Sequence, residues 1–178
     1  MANPVNLRII AGTHRGRRIQ VPEREGLRPT PSRVRETLFN WLQGWLDGAR
    51  VLDAFAGTGA LGLEALSRGA AHLDAIEQDK RLAAALSQTL IDWDLANGHC
   101  QRGSGLSAAL NGPYDLVFLD PPFRQGLLEP ALERIRPVLA ADALVAIEHE
   151  PDWTLPGGWS VMKSTRAGQE HLKLIEPA

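Results

Sequence analysis

The sequence predicts an α/β fold: a mostly parallel sheet with helices on both faces, closed at its C-terminal edge by an antiparallel hairpin. Three observations carry this. From Arg50 onward, apolar strand-like runs alternate with segments of helical spacing. The run Tyr114–Leu119 is apolar at nearly every position, as a strand buried on both faces requires. The last two strand-like runs are joined by a glycine-containing loop with no helix between them, so they must pair antiparallel.

The N-terminal third comes first in the chain and reads differently. Leu7–Ala11 and Arg17–Val21 are short strand-like runs around Gly12-Thr13-His14-Arg15-Gly16, whose glycines suit the turn of a small basic β-hairpin. After a Pro/Gly-containing loop, Thr30 serves as N-cap and Pro31 as the first helical residue. Val34, Leu38, Trp41, Leu42 and Trp45 recur at helical spacing, giving an amphipathic helix over 31–46 whose apolar stripe contacts the core.

The alternation then runs in order. Strands are expected at 51–55, 72–77, near 99–102, at 114–119 and 143–147, and in the closing pair 159–163 and 171–175. Helices are expected at 60–67, 79–95 and 125–139, the second ended by Asn97-Gly98 and the third either carrying Pro130 in its first turns or broken by it. Right-handed crossovers would place these helices on both faces. Two segments follow: 1–30, a basic hairpin and loop for docking, and 31–178, the α/β domain.

Composition narrows the class. The protein has 178 residues, 44% hydrophobic and 22% charged, as in ordinary globular domains. No apolar run approaches the ~18 residues of a membrane span, and the N-terminus lacks the pattern of a signal peptide. One cysteine and five scattered histidines supply neither a disulfide nor metal-ligand spacing. A cytoplasmic protein that holds no metal and acts as a monomer is the expectation. The net charge of −2 hides an asymmetry: residues 1–35 hold eight arginines and two acids, hence +6, leaving −8 on the remainder. Such a head suits a polyanion, and arginine in particular suits phosphate oxygens. The plainer alternative is a solvated basic face.

Two motifs carry chemistry. Gly57, Gly59 and Gly62 form G-x-G-x-x-G between the first strand and its helix, with Glu77 20 residues after Gly57. Alone this is a dinucleotide fingerprint with Glu77 on ribose hydroxyls. Asp53, however, lies four residues before Gly57, and no lysine or arginine lies between 51 and 67. An acid there suits an ammonium or sulfonium group better than a pyrophosphate, and S-adenosylmethionine carries both cations and a ribose. The second motif is Asp120-Pro121-Pro122-Phe123. Its prolines stop the strand and stiffen a turn at the sheet's carboxyl edge, where open α/β sheets bind ligands. An acid, a fixed carbonyl and an aromatic face could hold a flat, amine-bearing ring.

These residues also carry a family likeness. Asp53-Ala54-Phe55-Ala56-Gly57-Thr58-Gly59 resembles the first motif of class I S-adenosylmethionine-dependent methyltransferases. Asp120-Pro121-Pro122-Phe123 resembles the signature of those that methylate exocyclic or amide nitrogens. With Arg8–Arg17, Leu27–Thr30, Arg33–Leu42, Phe55–Ser67 and Asp120–Gly126, the chain from about position 7 to 175 resembles the bacterial 16S ribosomal RNA (guanine-N2)-methyltransferase family, which acts on the guanine at nucleotide 966. The resemblance implies a Rossmann-like class I methyltransferase fold and S-adenosylmethionine as cofactor. It implies cofactor contacts at Asp53, Phe55, Gly57, Gly59 and Glu77, with Ser104, or backbone alone, at the adenine, where many family members have Asp or Asn. Asp120, Pro121, Pro122 and Phe123 would hold the target base. Arg8, Arg15, Arg17, Arg18, Arg28, Arg33, Arg35 and Arg124 would contact 16S ribosomal RNA in an assembled or assembling small subunit. Three other readings remain open on sequence alone: an adenine-N6 methyltransferase on DNA or RNA, an NAD-dependent oxidoreductase, and a non-catalytic RNA-binding module.

Overall fold

A computed structural model describes residues 6–23, 27 and 29–178. The strands are β1 (Arg50–Asp53), β2 (His72–Glu77), β3 (Gly98–Arg102), β4 (Tyr114–Leu119), β5 (Leu139–His149), β6 (Trp159–Ala167) and β7 (Glu170–Pro177). The helices are α1 (Ser32–Trp41), α2 (Ala60–Ser67), α3 (Lys80–Asp92) and α4 (Leu128–Ile135), the last continued by a 3-10 turn over Arg136–Val138. One seven-stranded sheet has the order β3-β2-β1-β4-β5-β7-β6. β3 through β5 are parallel to their neighbours, while β7 inserts antiparallel between β5 and β6. The sheet is therefore parallel from β3 through β5 and antiparallel where the closing pair joins β5 and pairs with itself, as expected.

β4 shows why its sequence is so uniformly apolar. Leu116 and Phe118 point into a core shared with α1, α2 and α3, whereas Val117 and Leu119 point to the opposite face against α4. Helices on both faces leave no solvated side for this strand. Phe39 of α1 lies against Phe118 with ring centroids 6.0 Å apart, a tilted arrangement that aromatic quadrupoles favour.

Several boundaries differ from expectation, each for a local reason. α1 stops at Trp41, and Trp45 is 48% exposed, so the apolar stripe contacts the core only as far as Leu42 and Leu46. The N-cap of α1 is Pro31 and makes no side-chain cap bond; the Thr30 hydroxyl is used elsewhere. β1 ends at Asp53, because the chain turns there toward the glycine loop. α4 begins at Leu128 with Pro130 in its first turn, where a missing N–H costs no intrahelical bond.

The expected N-terminal hairpin is a turn with a single bridge, Arg8 to Arg18, rather than two regular strands. Flanking backbone bonds join Ile9 to Arg17 and Ile19 to Leu7. Leu7, Ile9 and Ile19 sink into the same core as α1 and α2. A buried carboxylate completes the attachment. Glu64 of α2, with no exposure, accepts the backbone N–H groups of Ile10 (2.9 Å) and Ala11 (3.0 Å) and the Arg68 guanidinium (2.8 Å). Arg35 lies 3.7 Å from Glu64 and donates to the Arg8 carbonyl. Beyond it, Gly12 passes so close to α2 that a Cβ would sit 1.9 Å from the Ser67 carbonyl oxygen, at φ +88°. Only glycine fits.

Removing one partner from a buried, hydrogen-bonded charge cluster leaves the others uncompensated. Glu64→Ala is expected to cost about 3–5 kcal/mol in urea denaturation, with faster amide exchange at Ile10 and Ala11. An exposed-site control, Glu36→Ala, should move stability by less than about 0.5 kcal/mol.

Candidate active site

The carboxyl ends of the parallel strands open onto a cleft of about 1140 Å³ lined by the glycine loop, the Asp120 turn, Ser104, Glu148 and Glu170. Each candidate cofactor residue sits there because its strand ends there. Asp53 closes β1, opposite Ala75 of β2 and Phe118 of β4. Glu77 closes β2, and Asp120 follows β4 directly. The sequence-predicted set of Asp53, Phe55, Gly57, Glu77, Ser104 and Asp120 through Phe123 thus lines one cavity. Gly59 stands just behind the loop as N-cap of α2, at φ +83°.

Asp53 is 1% exposed, and neither carboxylate oxygen has a partner of hydrogen-bonding geometry. Burial first, then the carboxylates of Asp120 and Glu77, push its pKa up to about 8, against the Gly62 and Phe55 N–H groups, which lower it. A buried, partnerless acid is costly unless a cation or donor meets it. Glu77 is differently placed. One oxygen accepts the Gly57 N–H at 2.6 Å and the other the Asp79 N–H at 2.8 Å. Glu77 therefore shapes the glycine loop, while each oxygen keeps a lone pair for a further donor.

The donor set fits S-adenosylmethionine: a carboxyl wanting a cation, a carboxylate with spare acceptors, and an open glycine loop where a Cβ on Gly57 would meet nothing within 4 Å. Ser104 stabilises its own turn, accepting the Leu106 N–H on its hydroxyl at 3.1 Å. Gly105 is packed against the Ala54 carbonyl, 2.3 Å from where a Cβ would lie, so the wall opposite Phe55 tolerates no larger residue. Among the described residues, no group of three or more His, Cys, Asp or Glu could hold a metal ion, and no helix is long and apolar enough to cross a membrane.

On the acceptor side, Pro121 is buried, Pro122 is exposed and Phe123 is 38% exposed. Arg124 adopts φ +60° and donates its backbone N–H to Glu150, which ties the turn to the segment after β5. Two residues not expected in the site from the sequence join Asp120 here. The Thr30 hydroxyl lies 3.4 Å from Asp120 Oδ2 and 3.1 Å from Glu148 Oε1. Glu148 is 5% exposed and faces the same cleft. Burial raises Asp120 to about 6, against hydrogen bonds from Thr30 and Glu148 that lower it. Burial and the neighbouring Asp120 charge raise Glu148 to about 9. The sequence did hold a signal for Glu148: an acid ending the apolar run Ala143–Ile147, as Asp120 ends its own.

The arginines divide. Arg8, Arg15, Arg17, Arg18, Arg33 and Arg124 are exposed. Arg28 lies outside the described residues. Arg35 corrects the expectation: at 1% exposure, spent on Glu64 and the Arg8 carbonyl, it cannot reach a phosphate. The tip holding Arg15 and Arg17 is bonded to Ser67, at the far end of α2 from the cleft. There Arg17 covers Trp93 (5.2 Å to the ring centroid), and His14 stacks on the same indole at 11°.

Known proteins share both the sequence and the fold. Residues 7–176 match the family model described as Conserved hypothetical protein 95. The chain is 43% identical to Ribosomal RNA small subunit methyltransferase D of Escherichia coli K12, covering 96% of this chain and 89% of that protein. It is 40% identical to the protein of the same name from Haemophilus influenzae, covering 96% and 93%. A solved structure, a putative methyltransferase from Escherichia coli, superposes with a TM-score of 0.88 at 43% identity over 97% of this chain and 98% of that one.

The double backbone contact of Glu77 is directly testable. Glu77→Ala should raise hydrogen-exchange rates at the Gly57 and Asp79 amides while leaving the β4 amides protected. Unchanged protection at Gly57 would mean that the carboxylate does not hold the loop.

Proposed function

The chain belongs to the Conserved hypothetical protein 95 family, and on that premise we propose that it transfers a methyl group from S-adenosylmethionine to the exocyclic N2 of a guanine in 16S ribosomal RNA. The kinship with Ribosomal RNA small subunit methyltransferase D supports the reaction and the RNA. The single observation that carries it is the Asp120-Pro121-Pro122-Phe123 turn lining the same cleft as the partnerless Asp53 carboxyl. A row of acids with no basic residue in the glycine loop argues against a dinucleotide, whose pyrophosphate would face Asp53.

S-adenosylmethionine, when bound, supplies a methyl group already activated by its sulfonium. Asp53 would meet the positive charge of that ligand, Glu77 would accept from its ribose hydroxyls, and Phe55, Gly57 and Ser104 would line the remainder, with Gly59 shaping the turn behind them. The guanine amine is a poor nucleophile because its lone pair is delocalised into the ring. Asp120 and the Pro121 carbonyl each accept one of its N–H groups, which orients the amine and stabilises positive charge developing on it. Phe123 stacks on the purine, worth about 1–3 kcal/mol per base. Pro122 keeps the turn stiff, so little freedom is lost on alignment.

The target base must leave its stack, which an RNA loop permits at low cost. Arg33, at the start of α1, and Arg124 lie near the cleft. The Arg15–Arg18 tip lies one α2 length away, about 12 Å, so RNA would lie across the α1–α2 face toward Trp93. Arg8 and Arg28 belong to the same basic head, and the substrate would be the RNA within an assembling or assembled subunit.

Unmodified small subunits incubated with labelled S-adenosylmethionine should acquire label on one guanine N2. Label on an adenine, or none, would overturn the reading. Asp120→Ala should lower methyl transfer on the order of 10²–10³-fold with little change in cofactor affinity by calorimetry. Replacing Arg15, Arg17 and Arg18 together by alanine should weaken RNA binding and flatten its salt slope by roughly 0.7–0.9 for each phosphate no longer neutralised.

A further inference from the structure

Glu148 and Asp120 are brought together by strand register. Leu119 of β4 pairs with Ile147 of β5, so the next residues on these parallel strands, Asp120 and Glu148, emerge side by side. The Thr30 hydroxyl lies within 3.4 Å of the first and 3.1 Å of the second. A hydroxyl has one hydrogen and cannot donate to both. The two carboxyl groups therefore need one further proton between them, because no cation is at hand. Among the described residues neither acid forms an ion pair with Lys, Arg or His. Among the described residues, the charged groups that face them are acids: each other, Glu170 of β7, and Asp53 of β1 beside Asp120. Two buried like charges in contact cannot both ionise near neutral pH.

We propose that Glu148 is the positioning residue of the methyl-acceptor turn: its carboxylic acid keeps the proton shared with Asp120 and Thr30, and so holds Asp120 as an oriented carboxylate facing the cleft. This rests on the reading of Asp120 as the amine's acceptor. Glu148 is the deeper of the two, 5% exposed, and burial favours the neutral form there. Asp120, open to the cleft, carries the charge. Asp120 Oδ2 lies 3.4 Å from the Thr30 hydroxyl, and the residue lines the cleft, where its remaining acceptor capacity would meet the amine. The pKa values agree with this division, about 9 for Glu148 and about 6 for Asp120. The working state, one proton on the pair, thus spans about pH 6 to 9, and the pair titrates as a unit with two apparent steps. Below this window Asp120 is protonated and loses acceptor capacity. Above it Glu148 ionises and ceases to donate.

The test compares wild type with Glu148→Gln, whose amide still donates but does not titrate. At saturating S-adenosylmethionine, which removes Asp53 from the profile, the wild-type kcat should be bell-shaped in pH. Glu148→Gln should keep the acid limb and lose the alkaline one. Glu148→Ala should lower kcat on the order of 10²-fold at pH 7. A merely structural Glu148 would leave both limbs in place in Glu148→Gln, and that result overturns the proposal. A second readout needs no ligand: the infrared difference spectrum, wild type minus Glu148→Gln, should show a protonated carboxylic-acid carbonyl at pH 7 that fades as pH rises through about 9. Its absence at pH 7 also overturns the proposal. Should Glu148→Gln fail to fold, Thr30→Val supplies the test, since losing the hydroxyl that donates to the Asp120 carboxylate should move the acid limb upward; an unmoved acid limb counts against it. A wild type inert on RNA would bring down the parent reading and the catalytic use of this proton, while the infrared band separately decides where the proton sits.

Discussion

Hydrogen-bonded register sets the chemistry of the cleft. The parallel strands β2, β1, β4 and β5 end at the same edge, and each finishes in or beside an acid: Glu77, Asp53, Asp120 and Glu148. Parallel pairing with helical crossovers forces these ends to one side of the sheet. Apolar strand interiors and covering helices then strip water from the acids. Desolvation raises Asp53, Asp120 and Glu148 together, and neighbouring carboxylates push each of them further. On electrostatic grounds such an edge favours a cationic ligand over a diphosphate.

The same buried-carboxylate logic appears at α2 with the opposite outcome. Glu64 is as buried as Asp53, yet it is surrounded by Arg35, Arg68 and two backbone N–H groups. Its oxygens are satisfied within the protein, so it acts as an anchor for the N-terminal turn. Asp53 has no cationic partner among the described residues, and neither of its oxygens makes a hydrogen bond of good geometry. The contrast separates a structural acid from one prepared for a ligand, and residue type alone cannot make that distinction.

The anchor also determines how the basic head can be used. By fixing Ile10 and Ala11 to α2, Glu64 sends the Arg15–Arg18 tip to Ser67, away from the cleft rather than over it. The exposed arginines are thus separated, with Arg33 in the first turn of α1 and Arg17 over Trp93. A polyanion held by both would be positioned at two separated points, which constrains the base presented to Phe123.

Much of this was legible in the chain. The run Tyr114–Leu119, the glycine spacing and the helix-free closing pair determined the sheet, because burial on two faces, tight strand–helix turns and crossover geometry each leave a local pattern. Asp53, Glu77 and Asp120 were legible because they adjoin motifs. The partners of Glu148, Thr30, Glu64 and Arg35 were not. Glu148 belongs beside Asp120 only once Leu119 is paired with Ile147, and Thr30 looks like a helix cap until its hydroxyl is found between two acids. Arg35 looks like one more surface arginine until helix α1 turns it onto Glu64. The sequence by itself determined which elements form and which acids end them, since those are properties of neighbouring residues. Tertiary structure decided which charges are paired, which are stripped of water and which share a proton, since burial and register join residues as much as 118 positions apart.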